Sequence, residues 1–183
     1  MAPPKQLPPF PSISSPEAVS ELVKELAPSL NGKWTVDLKQ SDSISEFIGL
    51  MGAPWAVVKL VKIGGEPSAT RTFSLTETGL EDTLDSKGAL GNRKDYCKWL
   101  FEEFSRINPM GIHTSRSLLW IDSENRLVLI AHNSEKGLRI STTFHTIVTS
   151  EDTKTDTLVA IISVTDADGK EVLKVKRVMT RIR

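Results

Sequence analysis

The sequence is short of several things at once, and each shortage excludes a class of protein. Cys97 is the single cysteine in 183 residues, so no internal disulfide is available. That points to a reducing compartment and away from disulfide-stapled secreted domains. Excess charge is missing too. Lys plus Arg equals Asp plus Glu at 23 each, which leaves no global field to draw in nucleic acid or an acidic membrane. No apolar run approaches the length of a bilayer span. The opening MAPPKQLPPFPSISSP lacks the basic start and apolar run of a secretory signal, and no Asn-x-Ser/Thr sequon is present. There is no Gly-x-Ser-x-Gly elbow, phosphate loop or dinucleotide fingerprint, so neither a serine hydrolase nor a nucleotide cofactor is expected. The three histidines, His113, His132 and His145, lack metal-ligand spacing, and no metal is expected. The remaining class is a soluble, cytoplasmic protein of one domain, long enough to bury a full core.

What is present falls into three parts. Residues 1–16 hold six of the ten prolines and read as an extended arm. Residues 17–30 read as an amphipathic helix and linker. Ser15 is placed to cap it, Pro16 fits its first turn, and Val19, Leu22, Val23 and Leu26 form one apolar stripe before Pro28. That stripe either packs on the outside or bottom of the main domain or pairs with a second copy, so a homodimer through the arm and helix is a candidate assembly. Residues 31–183 form the main domain.

The plan of that domain shows in Asn31 to Lys62. Trp34, Val36 and Leu38 alternate with Thr35, Asp37 and Lys39, the period of a half-buried strand. The period then becomes helical. Ser43-Ile44-Ser45-Glu46 has the spacing of a capping box, and Ile44, Phe47, Ile48 and Met51 follow on one face. Gly52 ends that helix. Pro54 starts another, with Trp55, Val57, Val58, Leu60 and Val61 as its apolar residues.

Gly32-Lys33-Trp34 on the first strand, followed at once by two short helices, resembles the calycin barrels, and within them the intracellular fatty-acid-binding proteins. The stretch is also similar to fungal lipocalin-like proteins of comparable length. The resemblance implies a helix-turn-helix lid over a barrel that holds a hydrophobic ligand.

The rest of the chain agrees. Strands are predicted over Ala69–Thr78, Leu80–Asp85, His113–Ile121, Arg126–His132, Leu138–Thr149, Thr157–Asp166 and Lys170–Ile182, with a hairpin at Asp168-Gly169. Residues 95–107 carry both a helical stripe and a strand alternation. The strand is chosen because a closed antiparallel barrel needs one there. The expected fold is mainly β: a nine- to ten-stranded up-and-down antiparallel β-barrel without free edges, with an N-terminal helix and a helix-turn-helix lid after the first strand.

Candidate ligand-binding residues follow from strand phase. On the last strand Leu173, Val175, Arg177, Met179 and Arg181 share the more apolar face, so Arg177 and Met179 are placed inside. A buried Arg needs an acid, ordered water or a ligand carboxylate as its partner. Fatty-acid-binding proteins end in a strand carrying Arg-x-Tyr, which holds the head group. Arg177-Val178-Met179 matches the Arg and lacks the Tyr. In calycin barrels a basic side chain of the last strand also often covers the Gly-x-Trp tryptophan, a role open to Arg177 or Arg181. Four tryptophans stand beside one tyrosine. Trp55 on the lid and Trp120 on a strand are placed to line a pocket. Arg71 and Phe73, which share a strand face, and His145 complete the candidate set.

These readings point to a barrel that carries or buffers a hydrophobic small molecule, lipid-like, polyketide-like or terpenoid-like. The alternative is a cyclase or isomerase without metal or nucleotide cofactor, acting on such a substrate in the same cavity. Polar groups converging at one point in the cavity favour the enzyme, and a single Arg at the end of an apolar tunnel favours the carrier. A protein-interaction module built on the arm and first helix is a third reading.

Overall fold

The computed structural model describes residues 16–86, 91–99, 106–107, 113–114, 116–122, 124, 126–133, 136–150 and 155–182. Helix α1 (Pro16–Leu30) leads into β1 (Gly32–Val36), and the pair α2 (Ser45–Leu50) and α3 (Trp55–Gly64) precedes β2 (Ala69–Thr76). Strands follow: β3 (Gly79–Ser86), β4 (Arg93–Lys98), β5 (Arg106–Ile107), β6 (His113–Thr114), β7 (Arg116–Ile121), β8 (Leu127–Asn133), β9 (Leu138–Ser150), β10 (Thr155–Thr165) and β11 (Glu171–Ile182). Nine strands form one sheet in the order β4-β3-β2-β1-β11-β10-β9-β8-β7, while β5 and β6 pair separately. The first and last long strands meet, with Trp34 opposite Arg181 and Val36 opposite Met179. The sheet curls until β4 and β7 lie alongside each other. Among the described residues no ladder joins those two.

Local chemistry explains most element boundaries, and some differ from expectation. β1 stops at Val36 rather than continuing to Lys39. The Asp37 carboxylate accepts the backbone N–H groups of Lys39 (2.9 Å) and Gln40 (3.2 Å), turning the chain and leaving Leu38 exposed. The capping box does not form. α2 begins at Ser45 with Ile44 in the cap position and no side-chain cap bond, and Ser43 Oγ accepts the Ser45 N–H instead. Gly52, at φ 92°, makes the turn to α3. The strand reading of 95–107 holds over Arg93–Lys98, where Cys97 is buried, as is Trp99 just beyond. Residues 100–105 lie outside the described residues, as do the arm residues 1–15.

Helix α1 runs to Leu30 with Pro28 inside it, two residues past the expected stop. The reason lies in what waits at its end. Arg181 on β11 donates from Nη1 to Asn31 O at 2.5 Å and from Nη2 to Ser29 O, so a cation satisfies carbonyls that a helix end leaves orphaned. Trp34 Nε1 donates to Leu30 O at 2.9 Å, taking another. The same Arg181 stacks over the Trp34 ring at 4.3 Å, a contact worth about 0.5–2 kcal/mol. Gly32 is required here. Its φ is 130°, and a Cβ added to it meets Arg181 Nη1 at 2.8 Å. The Gly-x-Trp signature is thus one device: the glycine admits the guanidinium, the tryptophan stacks under it, and the guanidinium ends α1. Of the two candidates for covering Trp34, the structure uses Arg181.

Three of the four stripe residues of α1, Val19, Val23 and Leu26, pack within the chain. Val19, Val23 and Leu30 are buried in one cluster with Trp34, Phe73, Leu75 and Leu80, which closes that end of the barrel. A second cluster at the lid end joins Met51 to Ala131, Ile140, Val164 and Val175.

Candidate functional site

Strand phase decides what faces the interior. On β11 Val175, Arg177 and Met179 are buried while Lys174 and Lys176 are exposed, as the sequence alternation requires. The β2 and β3 phases bring Arg71, Phe73 and Leu75 inward opposite Leu80, Asp82 and Leu84. Between the Trp34 cluster and the lid lies a cavity of about 100 Å³. Its apolar wall is Val36, Ala69, Leu84, Ile162 and Met179, and its roof is Ile44, Phe47 and Ile48.

The roof is a two-layer lid. α2 turns Ile48 to the cavity, and α3 covers α2 through Val61, Val57 and Val58. Lys136, in the turn between β8 and β9, donates from Nζ to Leu50 O at 2.7 Å, which ties the end of α2 to the barrel rim.

Among the described residues four charged side chains line the same cavity: Glu66, Arg71, Arg93 and Arg177. Arg177 is the deepest, with its side chain 6% exposed. Nη1 donates to Glu66 Oε2 at 2.8 Å and to Asp42 O at 2.6 Å, and Nη2 donates to Glu66 Oε1. The Glu66 side chain is 7% exposed, so both partners are withdrawn from water and the pair is bidentate. Arg71 forms a second fork on Asp82, donating from Nε at 3.2 Å and from Nη2, while its guanidinium lies 4.9 Å from the Phe73 ring centre. Arg93 Nε sits 2.8 Å from Asp95 Oδ2. Asp82 and Asp95 stand opposite each other on β3 and β4, so each arginine also relieves a like-charge contact across the ladder.

Three of the seven sequence candidates, Arg71, Arg177 and Met179, line one cavity. Phe73 lies beneath it, edge-on to Phe144 at 5.4 Å in the core. His145 falls on the opposite face of β9 from the buried Phe144, because adjacent strand residues point to opposite sides. Trp120 lies on β7, with its side chain outside the described residues. Trp55 is the correction. It is 73% exposed and points away from the cavity, with Lys59 Nζ 4.6 Å from its ring centre. α3 is apolar on nearly all sides, so periodicity could not tell which face would be covered. Only the Val57, Val58 and Val61 side meets α2, which leaves Leu60 and Ile63 exposed with Trp55. Trp55→Ala is therefore expected to shift stability by no more than about 0.5 kcal/mol. It should also leave ligand exchange unchanged, read by stopped-flow release of a bound dye. A large change in exchange would return Trp55 to the cavity.

Sequence reasoning missed Glu66, Asp82, Arg93 and the roof role of Ile44, Phe47 and Ile48. Asp82 had a signal, since it sits between Leu80 and Leu84 in the inward phase of β3. Glu66 had none. Gly64-Gly65-Glu66-Pro67 reads as a plain turn, and its partner is 111 residues away.

No protein-family model matches the sequence, and no curated protein does. The fold, by contrast, is shared with solved structures. The chain aligns over 86% of its length with 98% of a Schistosoma mansoni fatty acid binding protein solved with arachidonic acid, at 20% identity and TM-score 0.58. It aligns over 84% with 98% of human cRBP IV, at 17% identity and TM-score 0.55. A secretory abundant heat soluble protein of Ramazzottius varieornatus aligns with 83% of the chain over 94% of its own, at 16% identity and TM-score 0.56. At these identities the likeness is one of fold, and the fold is the calycin type of the fatty-acid-binding proteins.

Proposed function

We propose that this protein binds a hydrophobic small molecule inside its barrel, as a carrier or buffer. The observation that carries the reading is the cavity itself: a mainly apolar chamber roofed by Ile44, Phe47 and Ile48 of the helical lid. The solved relatives in fold that are named for fatty acid binding support a lipid-like guest. Ligand pockets span about 300–1,000 Å³, several times the free space here. Binding therefore includes displacement of lid side chains.

The cyclase or isomerase reading has one observation in its favour, which is that several polar groups share the cavity. They are engaged with one another, as Arg177 with Glu66 and Arg71 with Asp82, which suits structure more than proton transfer. No helix among the described residues is long and apolar enough to cross a membrane.

Native mass spectrometry of the protein as purified is the direct test. A bound apolar mass that leaves on denaturation and is unchanged after incubation is the expected result. A mass that converts to a second species on incubation would establish the enzyme instead. Protein that stays empty in the presence of a panel of apolar dyes would overturn both.

A further inference from the structure

Resting on the cavity reading above, we infer that Glu66 sets the charge class of the ligand. It is an internal counter-ion that neutralises Arg177, so the cavity takes an uncharged apolar molecule bearing a hydroxyl or carbonyl oxygen in preference to a carboxylate.

The hydrogen-bond arithmetic comes first. A guanidinium has five N–H donors in a fixed plane, and a ligand carboxylate is held well only when two parallel donors face it. In Arg177, Nη1 donates to Asp42 O and Glu66 Oε2, and Nη2 donates to Glu66 Oε1. The end-on fork is taken by Glu66. What remains is Nε–H and one Nη2–H, parallel donors that the two lone pairs of an alcohol or ketone oxygen can occupy without adding charge, whereas a second carboxylate there would stand beside that of Glu66.

Charge leads to the same place. Among the described residues each of the three arginines lining the cavity has a carboxylate partner: Arg177 has Glu66, Arg71 has Asp82, and Arg93 has Asp95. These six side chains sum to zero. An anionic ligand at Arg177 would add an uncompensated charge beside Glu66, where both side chains are withdrawn from water and like charges repel most strongly. A neutral ligand leaves the balance intact.

Position makes Glu66 hard to displace. It lies in the segment between α3 and β2, after Gly65 at φ 79° and before Pro67, a turn that delivers the carboxylate inward. As part of the same chain it competes as an intramolecular ligand, at an effective concentration on the order of millimolar.

The test uses a matched pair of probes, dodecanoate and 1-dodecanol, displacing the uncharged dye Nile red at pH 7.5. The unaltered protein is expected to bind dodecanol about tenfold or more tightly than dodecanoate. Glu66→Gln keeps the size and one acceptor but removes the charge, so dodecanoate affinity should rise about tenfold or more while dodecanol changes little. In Glu66→Gln/Arg177→Gln the gain for dodecanoate should vanish. Dodecanoate binding as tightly as dodecanol in the unaltered protein would overturn the inference. So would a folded Glu66→Gln variant with unchanged dodecanoate affinity, or a gain that survives loss of Arg177. If circular dichroism shows Glu66→Gln unfolded, the preference of the unaltered protein between the two probes decides. Failure of Nile red and both probes to bind would instead overturn the cavity reading itself, a distinguishable result.

Discussion

Arg177→Met is expected to destabilise the protein by about 3–5 kcal/mol in urea denaturation, and adding Glu66→Leu to recover most of that loss. Arg177 and Glu66 hold each other with side chains 6% and 7% exposed. Removing the cation alone strands a carboxylate beside Ile44, Phe47 and Met179 on the cavity wall. That orphan, rather than any loss of attraction, supplies the cost, because an unpaired buried charge forfeits its hydration without compensation. Asp42 O loses its donor as well. Replacing both partners with apolar groups of similar volume is nearly neutral for such pairs. The double variant thus separates the orphan's cost from the pair's own contribution. A single variant within about 1 kcal/mol of the parent would show that Glu66 reaches water readily once released, and would weaken its assignment as a fixed counter-ion.

This expectation departs from the sequence reading in an instructive way. The alternation of β11 was enough to place Arg177 inside, and the rule that a buried cation needs a partner was enough to demand one. What no local window contains is the partner's identity. Glu66 and Arg177 meet only because the turn after the lid and the closing strand are brought together by the barrel. Asp82 stood nearer to view: it is flanked by Leu80 and Leu84, and the Arg71 already placed inward lies on the neighbouring strand. Trp55 failed for the opposite reason. A helix apolar on nearly every side gives no phase, and size was no guide, since three valines rather than the tryptophan meet α2. The capping box at Ser43 failed by one residue, because Ser43 bonds the Ser45 N–H and the helix starts there. The helix pair itself was readable, since it needs only the change of period after Lys39, the glycine at the turn and Pro54.

Trp34→Ala should produce the largest loss of any single substitution at the other end of the barrel, about 3–5 kcal/mol. The indole is 0% exposed and sits in a cluster with Val19, Val23, Leu30 and Phe73, so its removal leaves a cavity that the surrounding strands cannot easily collapse into. It also removes the Nε1 donor to Leu30 O and the ring under Arg181. Both losses fall on the end of α1, so the helix should fray first. Amide hydrogen exchange over residues 26–30 should accelerate more than exchange over β10 and β11. Arg181→Met tests the same device from the other side. It keeps an apolar stem over the indole but abandons Ser29 O, Asn31 O and the Asp156 carboxylate, which lies 2.9 Å from Nε. Because the two residues act as one unit, their combined loss should fall short of the sum of the single losses by at least about 0.5 kcal/mol. Strict additivity would mean that Trp34 is ordinary core and Arg181 an independent cap. In that case Gly32 would answer only to its backbone angle, and Gly32→Ala in an Arg181→Met background should cost as much as it does alone.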